Sequence, residues 1–216
     1  MKTNLTAVLG FGLIVLIAGP AAAQGPPRGF GARMGTYNGL LVNESVQKEL
    51  KLDAKQIEKA NTLDEKIQGE MREKFEGLQN LAPQERRGKF MEITLELSAL
   101  ALKSAGEFLK PEQVARLKQI SYQVRGVQAF NDPDVARRLS ITDAQKADIE
   151  KIQGESMQEV RAVFQDAGDD REAAMKKVGE IRKQTEAKIE AKLNHEQKKT
   201  LKEMRGAPFD IKYEQG

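Results

Sequence analysis

A five-residue pattern that occurs four times constrains this chain more than anything else in it. It reads LDAKQ at 52–56, LKPEQ at 109–113, ITDAQ at 141–145 and LNHEQ at 193–197. Each copy has an aliphatic residue, three variable positions and a glutamine, and leads into a charged stretch with helical spacing. That placement fits a helix start. Across Thr142–Gln145 the hydroxyl can accept from the N–H of Gln145 while the Gln side chain reaches back to the N–H of Thr142, a reciprocal capping box. Asp53 with Gln56, and Asn194 with Gln197, follow the same logic. At Lys110–Gln113 the cap side chain is missing, and Pro111 supplies the preset φ of a first helical residue. The leading aliphatic residue can staple to the fourth helical position. Leu52 with Ile57 and Leu109 with Val114 suit that contact, whereas Ile141 and Leu193 meet only the stems of Lys146 and Lys198. The four pentads therefore predict helix starts and no catalysis, each cap contributing about 1 kcal/mol.

Between the caps the apolar spacing predicts an all-α chain. A short helix starts near Ser45. Ile57, Ala60, Leu63, Ile67, Met71, Phe75 and Leu78 then form one stripe of a helix of roughly 25 residues. Pro83 suits the first turn of a second long helix reaching about Phe108, with Phe90, Ile93, Leu97 and Leu100 among its apolar positions, and a further helix follows Pro111. The same order then recurs. Asp132 before Pro133 starts a short helix, Thr142 opens a long one carrying Ile149, Ile152, Val160 and Phe164, and DAGDD at 166–170 ends it. The next begins near Arg171 and carries Met175, Val178, Ile181 and Ile189, and the last runs from LNHEQ through Leu201 and Met204. Aromatics are only 5% of the chain, and good helix formers outweigh the β-branched and aromatic residues that strands favour.

Shifting residues 46–75 by 89 places onto 135–164 aligns Val46 with Val135, Leu50 with Leu139, Leu52 with Ile141, Gln56 with Gln145, Leu63 with Ile152, Met71 with Val160 and Phe75 with Phe164. A shift of 84 aligns Leu109, Glu112, Gln113 and Leu117 with Leu193, Glu196, Gln197 and Leu201. This register points to an internal duplication. The expected organisation is a flexible Gly/Pro-rich lead-in at 24–42, a helical lobe at 43–126, a second at 127–206 and a tail at 207–216. Each lobe is expected to run short-long-long-short, with its long helices in an antiparallel hairpin. In the tail, Phe209, Ile211 and Tyr213 are free either to dock on the core or to fray.

The first 23 residues read as a secretory signal peptide: Lys2, an apolar run, and a small-residue end with cleavage expected between Ala23 and Gln24. The competing reading is an uncleaved membrane anchor, which usually needs about 20 apolar residues. Export to the periplasm or beyond is therefore expected, with no membrane insertion after cleavage. The chain has no cysteine, so no disulfide braces it and no cysteine-linked lipid anchors it. Net charge is +3, which argues against a nucleic-acid partner. Its distribution is uneven. Asp143–Asp170 carries eight acidic and three basic residues, Arg171–Arg205 eleven basic and six acidic, as suits two helices folded back on each other.

With ITDAQ and LKPEQ in place, the chain resembles the LTxxQ family, the Spy/CpxP-like periplasmic proteins; PQERRGKF at 83–90 is similar to the family's segment between its two long helices. The resemblance covers nearly the whole mature chain, twice. It departs in the tandem arrangement, the degenerate first and fourth pentads and the shorter spacing between paired pentads. In that family two protomers form an antiparallel, cradle-shaped helical dimer, so here two lobes would supply the cradle within one chain, with a homodimer left open. The resemblance implies an ATP-independent chaperone or envelope-stress adaptor that holds unfolded or envelope proteins on a helical surface. Phe90, Met91, Leu95, Met157 and Val163 lie off the tidiest core stripes and are the candidate client contacts, against the plainer reading that they are core.

Other classes fit less well. A structural scaffold docking one specific envelope partner would use the same amphipathic helices. A metal-sensing relative is disfavoured by a lone His195 and the absence of cysteine. No nucleophile–base pair is evident, so neither an enzyme nor a cofactor is expected.

Overall fold

The pentads sit where the caps require. The computed structural model describes residues 35–213 apart from Asp169, so the stretch expected to be a signal peptide and the lead-in up to residue 34 lie outside the described residues. The chain is all-α. Among the described residues the helices are α1 (Tyr37–Leu41), α2 (Glu44–Leu50), α3 (Ala54–Glu76), α4 (Pro83–Ala105), α5 (Pro111–Arg125), α6 (Pro133–Arg138), α7 (Asp143–Asp166), α8 (Arg171–Ala191) and α9 (His195–Arg205). Two 3-10 segments, Gly77–Asn80 and Gly126–Asn131, join them. No described helix is long and apolar enough to cross a membrane.

Asp53, Thr142 and Asn194 each accept from the N–H of their pentad glutamine, and each of those glutamines accepts from the cap N–H in return. At α5 only the second half forms: an ammonium cannot accept, so Gln113 Oε1 takes the Lys110 N–H at 2.8 Å and Pro111 removes the need for one donor. The short helices before the first and third pentads end alike. Lys51 and Ser140, 89 apart, adopt φ of 51° and 50°, and among the described residues they are the non-glycines with positive φ. Lys51 N–H bonds Lys48 C=O and Leu52 N–H bonds Gln47 C=O; Ser140 and Ile141 repeat this onto Arg137 and Ala136. Both are Schellman turns. They use side-chain-bearing residues where glycine is usual, at a cost of about 1–2 kcal/mol each.

Helix α3 packs along α4, and α7 along α8. Partner numbers run in opposite senses (Gln56 with Phe108, Phe75 with Phe90; Gln145 with Lys192, Ser156 with Thr185), so each pair is antiparallel. Most buried apolar residues fall into two clusters, one spanning Tyr37 to Ile120 and the other Tyr122 to Met204. Helix α5 serves both, with Leu117 and Ile120 in the first and Tyr122 in the second, and α9 packs against it.

One expectation is corrected. Residues 37–41, read as the end of a flexible lead-in, form α1, which packs on α3, α4 and α5 and buries Tyr37, Leu40 and Leu41 in the first cluster. Thr36 caps it, Asn38 Nδ2 donates to Asp64 Oδ1 at 2.9 Å in the interior, and Ser121 Oγ donates to Gly35 C=O at 2.7 Å. Five residues are too few for helical periodicity to show. At the same shift of 89, Leu40 and Leu41 correspond to Ala129 and Phe130 of the second 3-10 segment, both buried in the second cluster. The internal correspondence therefore begins earlier than the sequence alignment at residue 46.

The pentad glutamines do more than cap. Gln56 Nε2 donates to Gln113 Oε1 at 2.8 Å, and Gln113 Nε2 donates back to Gln56 Oε1 at 3.2 Å. The remaining donors go to carbonyls just upstream of the partner's pentad: Gln56 to Phe108 at 3.0 Å, Gln113 to Leu50 at 2.9 Å. Gln145 and Gln197 repeat the arrangement at 2.8 and 2.9 Å, with Lys192 and Leu139 as the outer acceptors. Every amide uses both donors and accepts twice.

Two outcomes follow. Gln56→Ala or Gln113→Ala strands the partner's buried amide and a cap N–H, so urea unfolding is expected to show a loss of about 3 kcal/mol; Gln145→Ala, at a more exposed pair, is expected to lose about half that. The Gln56→Ala/Gln113→Ala double variant should fall short of additivity by about 1 kcal/mol or more. Separately, burial raises the phenol pKa of all three tyrosines, Tyr37, Tyr122 and Tyr213. Above the unfolded tyrosine value of about 10 the unfolded chain releases protons that the folded chain keeps, so stability falls as pH rises from there. Urea midpoints measured from pH 8 to 11 should decline only above about 10.

Candidate binding surface

Where α4 of the first half meets the second half, a groove of about 800 Å³ opens. Phe90 and Met91 enter it from α4. Phe130 comes from the second 3-10 segment, Pro133 and Ala136 from α6, and Ile141 from the turn before α7, while Ile149 and Met157 project from α7. Asp132, Lys146 and Glu150 supply charge, and Gln128, Asn131 and Gln153 supply neutral polar groups. Gln153 is fixed by donating to Val127 C=O at 2.7 Å, and Asp132 by capping α6 and pairing with Arg125 at 2.9 Å.

The groove has a fixed floor and an open lip. Ile149 and Phe130 are buried, while Phe90, Met91 and Met157 are 42%, 40% and 43% exposed. Phe90 is held by stacking on Phe75, with ring centroids 5.0 Å apart and planes 21° from parallel. Such offset aromatic pairs prefer separations in this range. Exposed apolar side chains on neighbouring elements, framed by charge, make a surface suited to another polypeptide's apolar side chains.

Of the five expected contact residues, three converge here: Phe90, Met91 and Met157. Leu95 and Val163 are half-buried and lie outside the lining. Of the floor residues, Ile141 is expected only as the lead of its pentad and Ile149 only as a core-stripe position, and Phe130 lies on no apolar stripe that sequence could read. Phe164 and Met175, assigned to core stripes, are 51% and 56% exposed near the far ends of α7 and α8. The pentad residues contribute Ile141 alone to the groove. Leu109 and Leu193 are buried, Leu52 packs against the first cluster, and Asp53, Thr142, Asn194 and the four pentad glutamines are engaged in caps and amide pairs. Among the described residues no group of three or more His, Cys, Asp or Glu is placed to hold a metal ion.

No family model, curated protein or solved structure matches this chain.

Floor and lip should separate on substitution. Met91→Glu and Met157→Glu, at exposed positions, are expected to change unfolding free energy by less than about 0.5 kcal/mol. Ile149→Ala is expected to cost about 3 kcal/mol. Chemical denaturation followed by far-UV circular dichroism reads both.

Proposed function

We propose that this chain is an exported, ATP-independent chaperone of the LTxxQ type, and that the groove between α4 and α7 holds apolar segments of unfolded envelope proteins. The observation that carries the reading is the joint exposure of Phe90, Met91 and Met157 around one groove. Methionine suits this use, because its unbranched, polarisable side chain repacks around differently shaped partners. Charged residues at the edge favour release into water over permanent burial. Covering a few hundred Å² of apolar surface gains on the order of 25 cal/mol per Å². Most of that is offset by the lost freedom of the two chains, which leaves weak and reversible capture. The tandem pentads support the same reading through their resemblance to the family, with two lobes taking the place of two protomers.

The test is light scattering from a reduced, unfolding client protein, with and without the protein lacking residues 1–23. At a few-fold molar excess the intact groove is expected to suppress most of the scattering. The Met91→Glu/Met157→Glu chain should lose that effect while keeping its melting curve. No suppression by the parent protein, or undiminished suppression by the double variant, would sink the proposal. Recovery of one tight stoichiometric complex from an envelope fraction would favour a scaffold instead.

A further inference from the structure

The C-terminal residues Ala207–Tyr213 lie on the first half of the molecule as a peptide lies in a site. Helix α9 stops at Gly206, where φ is +64° and an added Cβ would stand 2.3 Å from Gln119 of α5. Pro208 disfavours a helical restart at residue 207. From there burial alternates: Phe209, Ile211 and Tyr213 are half-buried, while Asp210 and Lys212 are exposed. This is the period of an extended chain.

Side chains, not backbone, read the segment's main chain. Phe209 N–H donates to Gln123 Oε1 at 2.9 Å, and Ala207 C=O accepts from Gln123 Nε2 and Arg116 Nη1, each at 2.9 Å. Lys212 N–H donates to Ser45 Oγ at 3.1 Å, and its C=O accepts from Asn43 Nδ2 at 2.8 Å. Phe209 and Ile211 pack against the first cluster, and the Arg116 guanidinium lies 6.0 Å from the Phe209 ring centre. Contacts of this kind select an alternating apolar pattern in an extended chain, because the main chain supplies the hydrogen bonds and every second side chain faces solvent.

The second half has no such site. The positions equivalent to Arg116 and Gln123 are Thr200 and Ala207, and those equivalent to Asn43 and Ser45 are Asp132 and Asp134. Both carboxylates are already engaged, Asp132 with Arg125 and Asp134 with Arg137. The polar readers therefore belong to one copy of the duplicated unit, which separates them from whatever both copies need in order to fold.

We propose that the face formed by α2 and α5 is a binding site for extended polypeptide segments with apolar side chains at alternate positions, and that Ala207–Tyr213 is its resident occupant. Such segments from other chains compete with the tail for the same donors and acceptors. The site is distinct from the groove between α4 and α7, and none of its polar readers lines that groove.

The experiment uses the full-length chain and a fluorescent peptide, Ala-Pro-Phe-Asp-Ile-Lys-Tyr. Phe209→Glu/Ile211→Glu is expected to release the tail, so the peptide should bind this chain at least roughly tenfold more tightly than the parent, where the occupied fraction competes. Adding Gln123→Ala should remove the gain, and a peptide with Asp in place of Phe and Ile should bind neither chain. Equal binding to parent and released chains, or binding to neither while circular dichroism shows both folded, overturns the proposal. Should the double variant fail to fold, Phe209→Ala carries the same comparison.

Discussion

The fold depends on the primary amide's capacity to donate twice and accept twice. At the third helical position a glutamate would complete a capping box as well as a glutamine does. Two glutamates brought together in the interior would instead repel and have no proton to share, and asparagine is one methylene shorter. Paired glutamines resolve this: each gives one donor and one acceptor to its partner, then spends the other donor on an upstream carbonyl and the other acceptor on its own cap N–H. The arrangement closes only when the end of α2, the start of α3 and the turn into α5 occupy one place together. The end of α6 and the starts of α7 and α9 face the same requirement. A local capping motif becomes a long-range constraint because its side chain has one hydrogen-bonding pair to spare.

The two left-handed turns belong to the same device. A Schellman turn reverses the chain so tightly that the last carbonyl of the helix lacks an intrahelical partner. At Lys51 and Ser140 those carbonyls are Leu50 and Leu139, the ones that Gln113 and Gln197 reach. The strain of a non-glycine left-handed residue is tolerated where the neighbouring carbonyl has a buried amide waiting for it. Both turns share this geometry although the turn residues differ, which fits a requirement on backbone and not on side chain.

Sequence made the helix starts legible because caps are local: hydroxyl, carboxylate or amide, then glutamine three residues on, is a statement about four consecutive residues. It also placed α3, α4, α7 and α8, whose apolar stripes are long enough to average over exceptions. It could not show the amide pairs, since Gln56 and Gln113 meet across 57 positions. It missed α1, where Tyr37, Leu40 and Leu41 follow a glycine-rich stretch and span little more than one turn. Of the groove it found the lip and not the floor. Residues off the core stripe announce themselves, whereas Ile149 obeys the stripe and differs only in what lies beyond it, and Phe130 sits in a 3-10 segment too short to carry a stripe. The same blindness misplaced Phe164 and Met175: periodicity says which residues share a face, not whether anything covers that face.

Each amide pair clamps one end of a long-helix pair, where α3 and α7 begin and where α4 and α8 have just ended. At the opposite end the first pair is closed by the Gly77–Asn80 segment with Leu78 buried, by Phe75 stacked on Phe90, and by an ion pair between Lys74 and Glu96 at 3.0 Å. In the second pair Gly168 follows α7 at φ +52°, and Phe164 and Met175 are left in solvent. An apolar residue at such an end gains little from folding, so stability does not account for its presence there. A clamp at the base holds the helices of each pair together, and the far ends then need not carry side chains that pack. The groove obeys the same division: its floor belongs to the second cluster, and its lip includes Met91 and Met157, whose removal the core would scarcely register.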